Sequence, residues 1–159
     1  MKTLDLFSLK GKKGFITGAA RGIGKCLAEA FTEMGASIAI VDIDIEEAEK
    51  TAGELADRYS AHTIAIRCDV TDAEDVERMM ETFIKEYGTI DFAINNAGIA
   101  NTYPAEEISS KDFKKVVDIN LNGVFLTAQA AARQMIKEGK AGSIVNTASM
   151  SAHIINTPQ

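Results

Sequence analysis

Thr17-Gly18-Ala19-Ala20-Arg21-Gly22-Ile23-Gly24 follows a short apolar stretch, Phe15-Ile16, and opens a segment of helical spacing. Each glycine has a separate use there. Gly18 suits a tight turn, Gly22 lets backbone approach a pyrophosphate, and Gly24 lets helix pack closely on strand. The helix that begins here presents unpaired N–H groups and the positive end of its dipole to the same point. Glycine spacing alone is a weak signal. Its place between a strand and a helix makes it point to a phosphate-bearing ligand and not to a plain turn.

Working outward, strand and helix patterns alternate along the chain. Residues 13–17 form the first strand, and residues 22–34 form a helix with Ile23, Leu27, Phe31 and Met34 on one face. Gly35 ends that helix. Residues 37–41 read Ser-Ile-Ala-Ile-Val, an apolar run of the kind buried on both faces of a parallel sheet. Asp44 with Glu47 opens a helix running to Tyr59, and Thr71 with Glu74 forms a second capping box for a helix over 72–87. Strands are expected at 63–67, 90–94 and 143–146. The longest helix, 110–137, carries Phe113, Val117, Leu121, Val124, Ala128, Ala131 and Met135 at helical spacing. Asn120, Asn122 and Gly123 inside it are candidates to bend it.

This order predicts an α/β fold, a doubly wound parallel sheet of Rossmann type with helices on both faces. Ligands of such sheets sit beyond the carboxyl ends of the strands. The composition agrees, with 46% hydrophobic and 25% charged residues placing the chain among ordinary globular domains. A net charge of -6 speaks against nucleic-acid binding. No apolar run approaches the length of a membrane span. Cys26 and Cys68 lack metal-ligand spacing and read as reduced thiols, so the protein is expected in the cytoplasm, with no metal.

The residues after each strand therefore carry the functional reading. Asp42 lies 18 residues past Gly24, near the spacing at which an acid meets the adenosine ribose. A carboxylate there accepts from both ribose hydroxyls and repels a 2′-phosphate, which favours NAD. Arg21 argues the other way, because a guanidinium in the phosphate loop can hold a 2′-phosphate, and this keeps NADP open. The plainer alternative makes Asp42 a loop acid ahead of a helix. Asp69 and the Val70 N–H suit an adenine edge; the alternative for Asp69 is a helix cap, a part Thr71 fits better. Asn95-Asn96-Ala97-Gly98 offers a wall of small residues that a flat ring can approach, or simply a turn.

Taken together, the 17–24 pattern, Asp69-Val70, Asn95 to Gly98, Asn120 within Ile-Asn-Leu-Asn-Gly and Ser149 within Asn-Thr-Ala-Ser closely resemble the short-chain dehydrogenase/reductase family, in its classical subgroup, over residues 9–159. The resemblance implies a domain binding NAD or NADP through Gly18, Ala20, Arg21, Gly22, Ile23, Gly24, Asp42, Asp69, Val70, Asn96, Ala97 and Gly98. It implies hydride transfer between the nicotinamide and an alcohol or carbonyl. Of the family's catalytic Asn, Ser, Tyr and Lys, Asn120 matches the Asn that positions a proton-relay water. Ser149 matches the Ser that polarises the substrate oxygen, with Ser151 a nearby rival. Without the resemblance, Asn120 reads as a helix-bending amide and Ser149 as a strand-end cap.

One departure stands out. The Tyr-x-x-x-Lys pair of the family is absent, since none of Tyr59, Tyr87 and Tyr103 is followed by Lys four residues later. The sheet, read as truncated after its fifth strand, leaves that strand as an unpaired apolar edge. The expectation is a single NAD(P)-binding Rossmann domain over 1–159, part of a longer oxidoreductase whose Tyr, Lys and substrate segment lie elsewhere, and inactive by itself. The alternative is a non-catalytic dinucleotide-binding fragment or sensor.

The stretch 148–159 looks like that of the family's polyol and ketose reductases, of the mannitol dehydrogenase, sorbose reductase and xylulose reductase type, so a secondary alcohol or ketone is the expected small-molecule substrate. His153 in that stretch is a candidate substrate contact, or simply a solvated loop residue. Lys111, Lys114 and Lys115 read as a solvated helix face. Apolar residues around much of the long helix, and the family's use of that helix, imply a homodimer or homotetramer for the complete protein.

Overall fold

Five strands form one parallel sheet: β1 (Lys13–Thr17), β2 (Ser37–Asp42), β3 (Thr63–Arg67), β4 (Phe92–Asn95) and β5 (Ser143–Asn146). Their spatial order is β3-β2-β1-β4-β5 in the computed structural model, which describes residues 6–101 and 104–150. Tyr103, Ser151, His153 and most of the 148–159 stretch lie outside those residues. The connecting helices are α1 (Gly22–Glu33), α2 (Ile45–Tyr59), α3 (Ala73–Tyr87), α4 (Ser110–Val117) and α5 (Val124–Lys137). This is the doubly wound α/β architecture that the alternation of patterns implied.

Strand side chains alternate between two apolar layers. Phe15, Ala39, Val41 and Ala93 share one core with Val76, Met79 and Phe83 of α3 and with Ala131 and Met135 of α5. Ile16, Ile38, Ile40 and Ile94 share the other with Ala28 of α1 and Ala48, Ala52 and Leu55 of α2. Both faces are covered, which is why β2 is apolar at every position from Ile38 to Val41. At the sheet's edge, β5 pairs with β4 in the register Ile94↔Val145, and Ile144 and Val145 stay partly exposed.

Helix placement corrects three expectations. The buried face of α1 is Gly24, Ala28 and Thr32, one position round from the expected stripe, and Ile23 is 69% exposed. Small residues win because they let α1 lie closely on the sheet. The cap of α3 is Asp72, which accepts from the Glu74 and Asp75 N–H groups; Thr71 instead donates through its N–H and hydroxyl to Asp69 Oδ1 at 2.9 and 2.7 Å. The long helix is interrupted by a π-helical segment, Asp118–Gly123. A π turn holds an extra residue, so the helical phase slips across it. Phe113 and Leu121, expected inside with Met135, face outward, while Thr127, Ala131 and Met135 of α5 are buried.

Candidate functional site

A cleft of about 650 Å³ opens at the carboxyl ends of the strands. Connections leave β1 towards β2 on one side, while β4 and β5 extend the sheet on the other, so the cleft sits where strand order reverses. Its walls come from Gly18, Arg21, Ile23 and Gly24 after β1, Asp42, Ile43 and Asp44 at the end of β2, and Cys68, Asp69 and Val70 after β3. Asn96, Ala97, Gly98 and Ile99 follow β4, Thr147 follows β5, and Ile119 comes from the π segment.

The phosphate loop is built to be narrow. Gly18 has φ +63, and a Cβ there would stand 2.8 Å from the Ala97 Cα. At Gly24 a Cβ would meet the Gly18 carbonyl oxygen at 2.2 Å and Asn96 Nδ2 at 2.7 Å. Ala20 is buried, its N–H donating to Asp42 Oδ2 at 3.0 Å and its carbonyl accepting from the Thr51 hydroxyl at 2.7 Å. Ala20 and Gly22 thus shape the loop without lining the cleft.

Two side chains join the loop to the opposite wall. Thr17 Oγ1 accepts from the N–H groups of Asn96 and Ala97 at 3.0 and 3.1 Å. Asn96 Nδ2 donates back to the carbonyls of Thr17 and Gly18, both at 3.2 Å. Thr17 opens the glycine pattern and ends β1, and that position is the only sign of this role in the sequence.

The α1 N-terminus differs from its neighbours. Asp44, Asp72 and Ser109 cap α2, α3 and α4 with side-chain oxygens, and acids stand in the first turn of each. Arg21 at the α1 N-cap makes no such bond, and the first turn of α1 has no acid. Its N–H groups and dipole end therefore suit an anionic ligand, and the cleft beside them has room for one. A dinucleotide phosphate fits these residues.

Across the cleft, Asp42 Oδ1 accepts from the Asp44 N–H at 3.1 Å. The Asp69–Val70 turn is held by Asp75 of α3, whose Oδ2 accepts from the Asp69 N–H at 2.8 Å and from Arg67 at 3.0 Å. That Asp69 N–H bond, with help from Arg78 and Arg67, holds the Asp75 carboxyl below its ordinary range against the opposing effect of burial. Asp75 was not foreseen as a site residue; a second acid in the first turn of α3 was its only sign. Cys68 is buried beside it, and desolvation, with Asp75 nearby, pushes its thiol up to about 12.

Asn120 sits in the π segment, and its amide is engaged with the backbone of Ile99 in both directions. It borders the cleft through Ile99 and does not itself line it. Ser149 lies three residues past β5 and is exposed, just beyond the lining residue Thr147.

A doubly wound sheet with an uncapped, glycine-lined helix start at its switch point has the build of a nucleotide-binding domain. The short chain dehydrogenase family model matches residues 12–157, and the chain belongs to that family. It is 42% identical over 158 residues to the sorbose reductase of Candida albicans, covering 98% of this chain and 56% of that one. A crystal structure of a short-chain type dehydrogenase/reductase from Mycobacterium marinum matches with TM-score 0.96 at 45% identity, over 100% of this chain and 64% of that one. An NAD+-bound xylitol dehydrogenase matches with TM-score 0.88 at 35% identity, over 93% and 56%. The chain thus spans little more than half the length of the curated relatives it matches.

Proposed function

We propose that the protein is an NAD(P)-dependent oxidoreductase that exchanges a hydride between the nicotinamide and a secondary alcohol or ketone, with a polyol or ketose as substrate. The observation that carries this reading is the uncapped start of α1, open to the cleft beside the Asp42 carboxylate. The pyrophosphate is assigned to the loop from Gly18 through Ala20, Arg21, Gly22 and Ile23 to Gly24. The adenosine ribose is assigned to Asp42 and the adenine to Asp69 and Val70. Asn96, Ala97 and Gly98 form the wall along which the rest of the dinucleotide runs. Bound there, the cofactor supplies or accepts the hydride.

Asp42 favours NAD. Its oxygens each take one backbone N–H, and a carboxylate has about four lone-pair sites, so acceptor capacity remains for ribose hydroxyls. Ser149 is assigned to polarise the substrate oxygen. Asn120 is assigned to the proton-relay water, held through its backbone carbonyl because its side-chain amide is engaged by Ile99. The Tyr and Lys of the family are assigned to the length by which the relatives exceed this chain. The names of the sorbose reductase and the xylitol dehydrogenase support the substrate class.

The complete protein is further proposed to be a cytoplasmic homodimer or homotetramer. Phe113, Leu121, Phe125 and Ile136 are exposed along α4, the π segment and α5, an apolar surface that a second copy would cover. The free thiols Cys26 and Cys68 support a reducing compartment, and among the described residues no helix is long and apolar enough to cross a membrane. NAD+ and NADP+ titrations of the full-length protein, followed by turnover with polyols and ketoses, test the reading. Turnover with a polyol is expected. No nucleotide binding overturns the proposal, and binding without turnover leaves only a dinucleotide sensor.

A further inference from the structure

The charged residues beside Asp42 form a chain of contacts that the glycine loop alone does not explain. Among the described residues Arg21 is the one cation lining the cleft, and its side chain is well exposed. Its guanidinium is paired with Asp44 Oδ2. Asp44 is itself held at two other points. Its N–H donates to Asp42 Oδ1 at 3.1 Å, and its Oδ1 accepts from the Glu47 N–H at 3.2 Å as the cap of α2. An anchored carboxylate therefore retains a side chain that little else restrains.

We propose that Asp44 is a specificity-determining residue for the cofactor: it retains and neutralises Arg21, withholding the guanidinium from a 2′-phosphate on the ribose that Asp42 holds. Preference against a 2′-phosphate then has two sources. Asp42 repels the phosphate directly, and Asp44 occupies a cleft-lining cation that would attract it. An arginine in the phosphate loop is by this account no sign of NADP use when a fixed acid stands two residues past the ribose carboxylate. The proposal rests on the dinucleotide reading of the cleft.

Asp44→Asn separates the tether from the cap, because Asn caps a helix about as well as Asp. The full-length protein and its variants would be titrated with 5′-AMP and with 2′,5′-ADP, which differ by the 2′-phosphate. An exposed ion pair is worth up to about 1 kcal/mol, so 2′,5′-ADP is expected to bind about three- to fivefold more tightly to D44N, with 5′-AMP changed by less than about twofold. In an Arg21→Gln background the same substitution is expected to give no gain. An equal gain in both backgrounds would mean that Asp44 acts by repulsion and overturns the tether, as would no gain in either. Asp44→Ser, another good cap, repeats the test should D44N fold poorly. If the unmutated protein binds neither nucleotide, the dinucleotide reading itself falls, and this inference with it.

Discussion

Asn120 holds the backbone of Ile99 from both sides: its Oδ1 accepts from the Ile99 N–H at 2.9 Å, and its Nδ2 donates to the Ile99 carbonyl at 2.8 Å. A single amide thus closes a loop between the π segment and the wall that follows β4. The side chain acts as a brace, and a direct contact with a reacting atom would have to come from elsewhere on the residue. Asn120→Asp keeps the acceptor but sets a carboxylate against a carbonyl. It is expected to destabilise the protein by about 0.5–1.5 kcal/mol, the net worth of an ordinary hydrogen bond, read by urea denaturation, and to lower turnover more than nucleotide affinity.

Gly24→Ala tests the narrowness of the phosphate loop. The added methyl would meet backbone, the Gly18 carbonyl oxygen at 2.2 Å, with no flexible side chain to give way. Overpacking of this kind costs about 1–3 kcal/mol. The expected result is a lowered melting temperature together with loss of NAD+ binding by calorimetric titration. Unchanged binding would separate the loop from the cofactor.

The pH dependence of stability should report Asp75. Its folded pKa is depressed by the Asp69 N–H bond and its arginine partners, against burial. A depressed acid contributes stability that is complete above the unfolded value of about 3.9 and is lost as pH falls through the lower folded value. Asp75→Asn is therefore expected to cost about 2 kcal/mol at neutral pH, with the gap to the unmutated protein narrowing as the pH drops below about 4. Urea melts at several pH values would show this, and a gap independent of pH would contradict it.

Thiol labelling gives a simpler check. Cys26 is exposed, while Cys68 is buried with its thiol pushed up to about 12. Only the thiolate reacts readily. A disulfide reagent at neutral pH is expected to modify Cys26 quickly in the native protein and Cys68 only after denaturation. Saturating NAD+ should leave the Cys26 rate unchanged, since Cys26 does not line the cleft.

How much of this was legible in the sequence depends on the range of the forces involved. The strands and the sheet's polarity were readable because β2 is apolar from Ile38 to Val41 and the glycine loop stands where a strand meets a helix, both local patterns. Asp42, Asp69 and Asn96, which line the cleft, are singled out in the sequence by their places at or just past strand ends. Helix faces were read less well. The extra residue in the Asp118–Gly123 turn shifts the phase of α5, and no 3.6-residue count anticipates that. Thr71 lost the cap to Asp72 because Asp69, two residues back, engages both its N–H and its hydroxyl. Thr17, Asp75 and the Arg21–Asp44 pair depend on a side chain of one element reaching the backbone or side chain of another segment, which spacing along the chain does not encode.

The lacing of Thr17 to Asn96 and Ala97 has a consequence for motion. Two sides of the crevice, from strands adjacent in space and 79 and 80 residues apart in sequence, are bound as one stiff jaw. Moving one side against the other would have to break both bonds. Its ordering is completed during folding, so a nucleotide entering it meets donors already aimed and loses little affinity to immobilising them.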